Sequence, residues 1–229
     1  MESESIIRRI LADGFLPLLR LPPEALPPAL EAVLASGITI VATSTDSAAA
    51  LEVVARAGAG RQAVLGAEVR SLPAARDALR AGARFLLMPA LDAEAVRLCR
   101  EAHVPIIPGA LTPTEVRQGR ELGAEALQAF PAGPLGPGYL AALHRAAPDV
   151  SLLASGEVSP KQVGSFLEGG AAGIVGGECL SWSAAGASGI VASLQEFREA
   201  IRRARGQAGR AWWGRWAPQQ IRPTEGPDK

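Results

Sequence analysis

Residues 126–132 read Ala-Leu-Gln-Ala-Phe-Pro-Ala, a short apolar run that is closed by a proline. Short apolar runs bounded by turn residues are typical of strands buried on both faces, as in a parallel sheet. A stretch rich in Pro and Gly, predicted to be a loop, follows from Pro131 to Gly138. The run therefore predicts one buried strand of a parallel sheet, with the polar Gln128 near its centre.

Seven further runs of this kind occur along the chain, and helical patterns alternate with them. The runs span residues 15–20, 38–44, 63–67, 84–89, 104–108, 150–154 and 172–175. The helical patterns span residues 22–36, 46–57, 73–81, 92–102, 112–122, 139–147, 159–168 and 190–205, and residues 5–13 add one before the first strand. Eight alternating strand–helix units predict an α/β fold, a (β/α)8 TIM barrel with an extra N-terminal helix and its site at the C-terminal strand ends.

The last part of the chain differs from these units. We expect residues 1–209 to form a single (β/α)8 barrel domain and residues 210–229 to form a C-terminal tail that is partly disordered. The tail is rich in Trp, with Trp212, Trp213 and Trp216 within five positions. Three exposed indoles would make a large apolar patch, so we expect them to pack on the barrel's own helices or on another subunit.

Composition excludes several classes of function. The 229-residue chain is 48% hydrophobic with a formal net charge of zero, which argues against nucleic acid as a partner. It has no run of 18 apolar residues, so no membrane span is predicted. The N-terminal sequence lacks a signal-peptide pattern, and Cys99 and Cys179 lie outside any metal-ligand spacing. We therefore expect a cytoplasmic protein with reduced thiols.

Lysine is nearly absent from the chain, which limits the amine chemistry that it can perform. Only Lys161 and Lys229 occur, and none precedes Pro160. Lys161 follows Ser159-Pro160, which predicts the first turn of a helix with the amine pointing to solvent.

Several motifs occur in a fixed order and spacing. They include Gly-Ile-Thr-Ile-Val at 37–41, Leu-Gly-Ala at 65–67, Pro-Ile-Ile-Pro-Gly at 105–109, Phe-Pro-Ala at 130–132 and Val-Gly-Gly at 175–177. Together they resemble the 2-keto-3-deoxy-6-phosphogluconate (KDPG) / 4-hydroxy-2-oxoglutarate (KHG) aldolases over about residues 5–180. The resemblance implies a (β/α)8 barrel, usually a homotrimer, and a class I lyase. That lyase cleaves a 2-keto-4-hydroxy acid to pyruvate and an aldehyde through a Schiff base.

The resemblance fails at the positions where the family's chemistry lies. The family's lysine falls on Gln128, its glutamate on Ala42, its arginine on Asp46, and its carboxylate-binding threonine on Val69. An amide nitrogen is not nucleophilic and cannot form an iminium with a keto acid. The class I mechanism is therefore predicted to be absent, and whether the chain is an enzyme stays open at this point.

Other positions of the family's site are kept or changed only slightly. By the resemblance, the substrate-binding positions are Arg20, Pro89, Phe130, Ser155, Gly156, Gly176 and Gly177. Arg20 is the main cation expected at the barrel mouth. It would either hold the carboxylate of a small organic acid ligand or neutralise a nearby glutamate.

Three carboxylates replace glycine or serine of the family motifs. Glu68, Glu157 and Glu178 are all expected near the mouth. Convergent carboxylates could bind a divalent metal such as Mg²⁺ and give a rebuilt, metal-dependent lyase site. Alternatively, they are solvated acids on a barrel without a cofactor. The first hypothesis for function is then a non-catalytic ligand-binding or assembly protein, the alternative is a carbon–carbon lyase, and the third is a partner-binding role for the Trp-rich tail.

Overall fold

A computed structural model describes residues 2–44, 63–177 and 186–208 of the chain. The eight strands are β1 Phe15–Leu19, β2 Ile40–Ser44, β3 Val64–Glu68, β4 Leu86–Met88, β5 Ile106–Ala110, β6 Leu127–Ala129, β7 Leu152–Ala154 and β8 Gly173–Gly176. The described helices are α1 Glu2–Asp13, α2 Leu26–Ala35, α3 Leu72–Arg80, α4 Ala93–Glu101, α5 Pro113–Glu121, α6 Ala132–Ala146, α7 Val163–Glu168 and α8 Gly186–Ala208. A 3₁₀ turn, Pro160–Gln162, precedes α7.

The strands close into a barrel in chain order. Each strand pairs in parallel with the next, and β1 pairs with β8 through Leu16 and Val175. All eight strands are buried along their whole length because helices cover the outer face and side chains fill the inner one. The predicted (β/α)8 barrel with an extra N-terminal helix is confirmed.

Large apolar side chains fill the barrel's interior. A buried cluster takes alternate residues from the strands, among them Leu16, Leu18, Ile40, Ala42, Val64, Phe85, Leu87, Ile107, Ala126, Leu153 and Val175. The same cluster includes Ile6, Ile7 and Ile10 of α1, so the extra helix closes the N-terminal end of the barrel. Gly66 leaves room for the Phe85 ring, since a Cβ there would lie 2.3 Å from it.

Some predicted boundaries were wrong. The loop predicted for residues 131–138 belongs to α6, which begins at Ala132 and contains a kink at Gly136. Gly136 has φ 78° and ψ 169°, which interrupts the helix, and Pro137 restarts it because proline suits a first helical turn. The final helix is longer than the predicted 190–205, since it runs from Gly186 to Ala208.

Several predictions lie wholly or partly outside the described residues. Among them are the helix at 46–57, the environment of Cys179, and the Trp-rich tail after residue 209. The boundary of the barrel domain at residue 209 stays a prediction for the same reason. Cys99 is a buried free thiol in α4. In the parts of the chain that the structure describes, no helix has both the length and the apolar character needed to cross a bilayer.

Candidate functional site

The polar layer at the mouth of the barrel follows from the alternation of side chains along each strand. Successive side chains point to opposite faces, so the residue two places beyond the last interior apolar position also points inward. In seven strands this rule places the following residues at the mouth: Arg20, Ser44, Pro89, Gly109, Gln128, Ser155 and Gly177. In β3 it adds Glu68, which lies two places beyond the inward-facing Gly66. We call this set the mouth layer.

Arg20 and Glu68 form a two-pronged ion pair across the mouth layer. Arg20 Nε donates to Glu68 Oε2 at 2.9 Å, and Arg20 Nη2 donates to Glu68 Oε1 at 2.5 Å. The Glu68 side chain is only 2% exposed, whereas that of Arg20 is 29% exposed. A fork-to-fork pair of this kind fixes both side chains, because two parallel hydrogen bonds accompany the charge attraction. Of the two roles predicted for Arg20, the structure shows the neutralisation of a glutamate.

Gln128 is held inside the barrel by backbone carbonyls. Its Nε2 donates to the carbonyl oxygen of Met88 at 2.9 Å and to that of Ile107 at 3.3 Å. The residue is 1% exposed. Both hydrogens of the amide therefore have partners, and the side chain lies against the inner wall beside β4 and β5. This arrangement suits an amide, which carries no charge to desolvate.

Two serine hydroxyls of the mouth layer are buried without a partner. Ser44 and Ser155 are 9% and 1% exposed, and neither Oγ has a hydrogen-bond partner among the described residues. Buried hydroxyls are almost always hydrogen-bonded, and both groups can donate to or accept from a water or a polar ligand. Ser44 was not among the predicted site residues. The signal for it was available, because Ser44 lies two residues after the interior position Ala42.

The other predicted substrate-binding residues differ in where they lie relative to the mouth layer. Phe130 is half-buried, and its ring lies so close to Gly156 that a Cβ on the glycine would meet it at 2.9 Å. Pro89 approaches β5 just as closely, since its carbonyl would lie 1.9 Å from a Cβ on Gly109. Gly176 instead faces outward, toward the ring of Phe197 in α8.

The structure brings together only part of the predicted carboxylate cluster. Glu68 is buried and bound to Arg20, whereas Glu157 is exposed with φ 56°. Glu178 and Asp46 lie outside the described residues. Across residues 2–44, 63–177 and 186–208, no group of three or more His, Cys, Asp or Glu side chains could hold a metal ion. The metal site stays a prediction, since one of its three carboxylates is not described.

The remaining degenerate positions are apolar. Ala42 is fully buried in the interior cluster, and Val69 is 1% exposed in the cluster around α3 and α4. Lys161, the only lysine in the described ranges, is exposed in the 3₁₀ turn before α7, as predicted. No amine is therefore present inside the described part of the barrel.

These features define a class of protein: a (β/α)8 barrel with a polar site at the C-terminal ends of its strands. Within that class, residues 14–193 match the family model described as KDPG and KHG aldolase. The match covers more than half of the chain. The protein belongs to the KDPG and KHG aldolase family.

Individual relatives agree with this assignment. The chain is 34% identical to a 2-dehydro-3-deoxy-6-phosphogalactonate aldolase of Escherichia coli K12 over 116 residues, which cover 50% of this chain and 57% of that protein. It is 28% identical to a 2-dehydro-3-deoxy-phosphogluconate aldolase of Pseudomonas aeruginosa, covering 66% and 71% of the two chains. The first match thus spans little more than half the length of the relative. A solved structure described as native KDPGal is 26% identical with a TM-score of 0.75, covering 83% and 95%.

Proposed function

We propose that this protein is a KDPG/KHG aldolase-like barrel that lacks Schiff-base chemistry and binds a small polar ligand at its mouth without catalysing the aldol reaction. The observation that carries the proposal is the chemistry of the described barrel interior. A Schiff base needs a primary amine beside the keto carbon. The polar side chain on β6 is instead the amide of Gln128, bound to two carbonyls, and Lys161 is in solvent.

The Arg20–Glu68 pair supports the loss of carboxylate binding that the aldol reaction would need. Arg20 Nε and Nη2 both donate to Glu68 oxygens. A substrate carboxylate would have to displace a carboxylate that is already desolvated and tethered to the same barrel. We expect the affinity for a small organic acid to be weak for this reason.

The unpartnered hydroxyls of Ser44 and Ser155 support retention of a ligand site. Hydroxyls both donate and accept, so they suit a ligand with carbonyl or hydroxyl groups. A mouth that had simply collapsed would be expected to pair or lose these groups, because a buried unpaired hydroxyl destabilises the fold by about 1–3 kcal/mol.

Borohydride trapping tests the loss of Schiff-base chemistry. The protein is incubated with pyruvate and sodium borohydride, and its intact mass is measured, with an active aldolase of the family as the positive control. We expect no covalent pyruvyl adduct. An adduct on Lys161 or on any other lysine overturns the proposal.

A binding measurement tests the ligand site separately. Titration with pyruvate as the probe should show weak binding to the wild-type protein and about tenfold tighter binding to Glu68→Gln, because the neutral amide leaves the guanidinium charge to the ligand. Ser155→Ala in the Glu68→Gln background should weaken that binding. Equal affinities in all three proteins would remove the mouth as the binding site.

The alternative function is a carbon–carbon lyase with a rebuilt, metal-dependent carboxylate site. The test is cleavage of 4-hydroxy-2-oxoglutarate with and without Mg²⁺ or Mn²⁺. Metal-dependent turnover that disappears in Glu68→Gln, Glu157→Gln and Glu178→Gln would establish this alternative in place of the non-catalytic role. We expect none, because Glu68 is engaged by Arg20.

We also propose, from the family resemblance, that the protein is a cytoplasmic homo-oligomer, with a trimer as the expected form. Leu111, Leu135 and Tyr139 are exposed large apolar side chains that a subunit contact could cover. Light scattering coupled to size-exclusion chromatography measures the mass directly, and a monomer at micromolar concentration would contradict the assembly.

A further inference from the structure

A cleft at the opposite end of the barrel from the mouth is unused by the proposed function. Its volume is about 580 Å³, within the range of small-molecule sites. It lies between the start of β1, the segment that leads into β2, and the last turns of α8. Its apolar lining includes Phe15, Ile38 and Ile201, all nearly buried in the protein core.

One wall of this cleft is strongly cationic. Arg198, Arg202 and Arg205 line it from α8, at spacings of four and three residues that place them on one helix face. Arg9 of α1 lies at its edge, where its Nη2 donates to the hydroxyl of Thr39 at 3.2 Å. The single acidic residue among those lining the cleft is Asp13. The chain as a whole is neutral, so this is a local concentration of positive charge.

Arg205 joins α8 to α1 through hydrogen bonds. Its guanidinium donates to the carbonyls of Leu11 and Ala12 at the end of α1. Burial lowers the pKa of Arg205 to about 10, and the Asp13 carboxylate opposes that shift, so the group is charged at neutral pH. Asp13 compensates this arginine. Arg198 and Arg202 have no ion-pair partner in the parts of the chain that the structure describes.

We propose that this cleft at the N-terminal end of the barrel, which we call the base cleft, binds an organic anion. The anion would be a phosphate monoester or a carboxylate that also carries an apolar group. The anionic group would lie between Arg198 and Arg202, and the apolar group would pack on Phe15, Ile38 and Ile201. Arg198 and Arg202 have no ion-pair partner among the described residues, and their two charges match those of a phosphate monoester. Guanidinium forks also suit phosphate oxygens. The site is separate from the mouth because it lies at the other end of the strands.

Phenyl phosphate is a suitable probe, with inorganic phosphate for comparison. By isothermal titration calorimetry of the full chain at low salt, we expect phenyl phosphate to bind more tightly than inorganic phosphate. Only phenyl phosphate has an apolar group that can pack on Phe15, Ile38 and Ile201. Binding should weaken as ionic strength rises, since the site is partly exposed. Binding of neither compound would overturn the proposal.

Neighbouring arginines on α8 supply a matched pair of variants. Arg202→Gln should weaken phenyl phosphate binding about tenfold, because a charge-assisted hydrogen bond is lost. Arg203→Gln removes the same charge one residue away, outside the cleft lining, and should change the affinity by less than about twofold. Equal effects of the two variants would indicate a general charge effect and contradict the site.

Two further outcomes separate this site from its alternatives. Pyruvate binding to Glu68→Gln should be unchanged by Arg202→Gln, whereas a joint loss would place both ligands at one site. If phenyl phosphate binds only after Trp212, Trp213 and Trp216 are replaced by alanine, the C-terminal tail is the natural occupant of the cleft. That result would overturn the proposal.

Discussion

At the scale of single residues, Glu68 has the largest consequence for the mouth. A carboxylate that is 2% exposed is costly to bury, and the Arg20 guanidinium offsets that cost. Glu68 accepts from both Nε and Nη2 of Arg20, so the anion beside this guanidinium is part of the chain.

Removing one partner of this pair should lower the free energy of unfolding more than removing both. We expect Arg20→Met to lower the free energy of unfolding by about 2–4 kcal/mol, because it removes the two charge-assisted hydrogen bonds that Arg20 donates to the buried Glu68 carboxylate. Arg20→Met with Glu68→Met should cost less than the single change. Urea unfolding measures both values in a double-mutant cycle.

The exposed pair Arg80–Asp77, at 2.9 Å, provides the control for this cycle. Its side chains are 76% and 59% exposed, so Arg80→Met should change stability by no more than about 0.5 kcal/mol. Similar costs for the two arginine substitutions would contradict the role assigned to burial.

Gln128 provides a second test at this scale, through a change of charge with little change of shape. Gln128→Glu should destabilise the fold by about 3 kcal/mol at pH 7, because a buried carboxylate would face the carbonyls of Met88 and Ile107. Burial raises the pKa of such a carboxyl in the folded state. The penalty should therefore grow as pH rises above the unfolded pKa and shrink near pH 4.

Urea unfolding between pH 4 and 7 measures this penalty, and Gln128→Met serves as the control. Methionine has a similar volume without a titratable group, so its cost should not depend on pH between 4 and 7. A pH-independent penalty for Gln128→Glu would show that the carboxyl is not held in the buried position.

At the scale of elements, α5 shows how local sequence fixes a boundary near the site. Thr112 accepts from the Glu115 N–H at 3.3 Å, and Glu115 Oε2 accepts from the Thr112 N–H at 2.7 Å, which completes a capping box. Glu115 Oε2 also accepts from the Leu111 N–H at 2.9 Å. The start of α5 is therefore fixed by hydrogen bonds among residues 111–115.

The pKa of Glu115 is lowered, chiefly by the Leu111 N–H and also by the hydroxyl and N–H of Thr112, against an opposing effect of burial. A lowered folded pKa means that the stabilisation is present above the unfolded pKa and is lost as pH falls through the folded value. Glu115→Gln should cost about 0.5–1 kcal/mol at pH 7 and much less at pH 3. Thermal unfolding at the two pH values measures this.

Glu121 at the other end of α5 supplies the control, since its carboxylate lies 3.9 Å from Arg117 in an exposed pair. Glu121→Gln should have little effect at either pH. A cost for Glu115→Gln that persists unchanged at pH 3 would mean that the charge of Glu115 does not contribute.

At the scale of the whole molecule, the barrel separates scaffold from chemistry. The interior cluster, which includes residues of α1, holds the strands together below the mouth layer. By the family resemblance, Ala42, Val69 and Gln128 stand on this barrel at the positions of the family's reactive groups.

This separation predicts that chemistry can be restored on the existing frame. We expect the variant Ala42→Glu/Glu68→Gly/Val69→Thr/Gln128→Lys to form a pyruvyl adduct under borohydride. The change introduces an amine and a proton-transfer carboxylate, and it removes the Glu68 carboxylate from Arg20. Intact-mass measurement detects the adduct, and the same variant without Gln128→Lys should give none. A folded quadruple variant without an adduct would contradict the residue correspondence.

The sequence by itself determined the barrel. Short apolar runs alternating with capped helical patterns leave few other ways to bury eight strands. The ends of a helix are marked by local residues, as the Thr112–Glu115 capping box marks the start of α5 and the left-handed Gly123 follows its end. The helical start of α6 was missed, because a Pro- and Gly-rich stretch resembles a loop when its neighbours in space are unknown.

Only the tertiary structure decided which groups meet at the mouth and at the base. The partners Arg20 and Glu68 are 48 residues apart in the chain, and Gln128 donates to carbonyls 40 and 21 residues away. The base cleft joins residues near the start of the chain to α8. Such pairings depend on barrel closure and register, which bring distant strand ends together, and sequence spacing alone carries no distance between them.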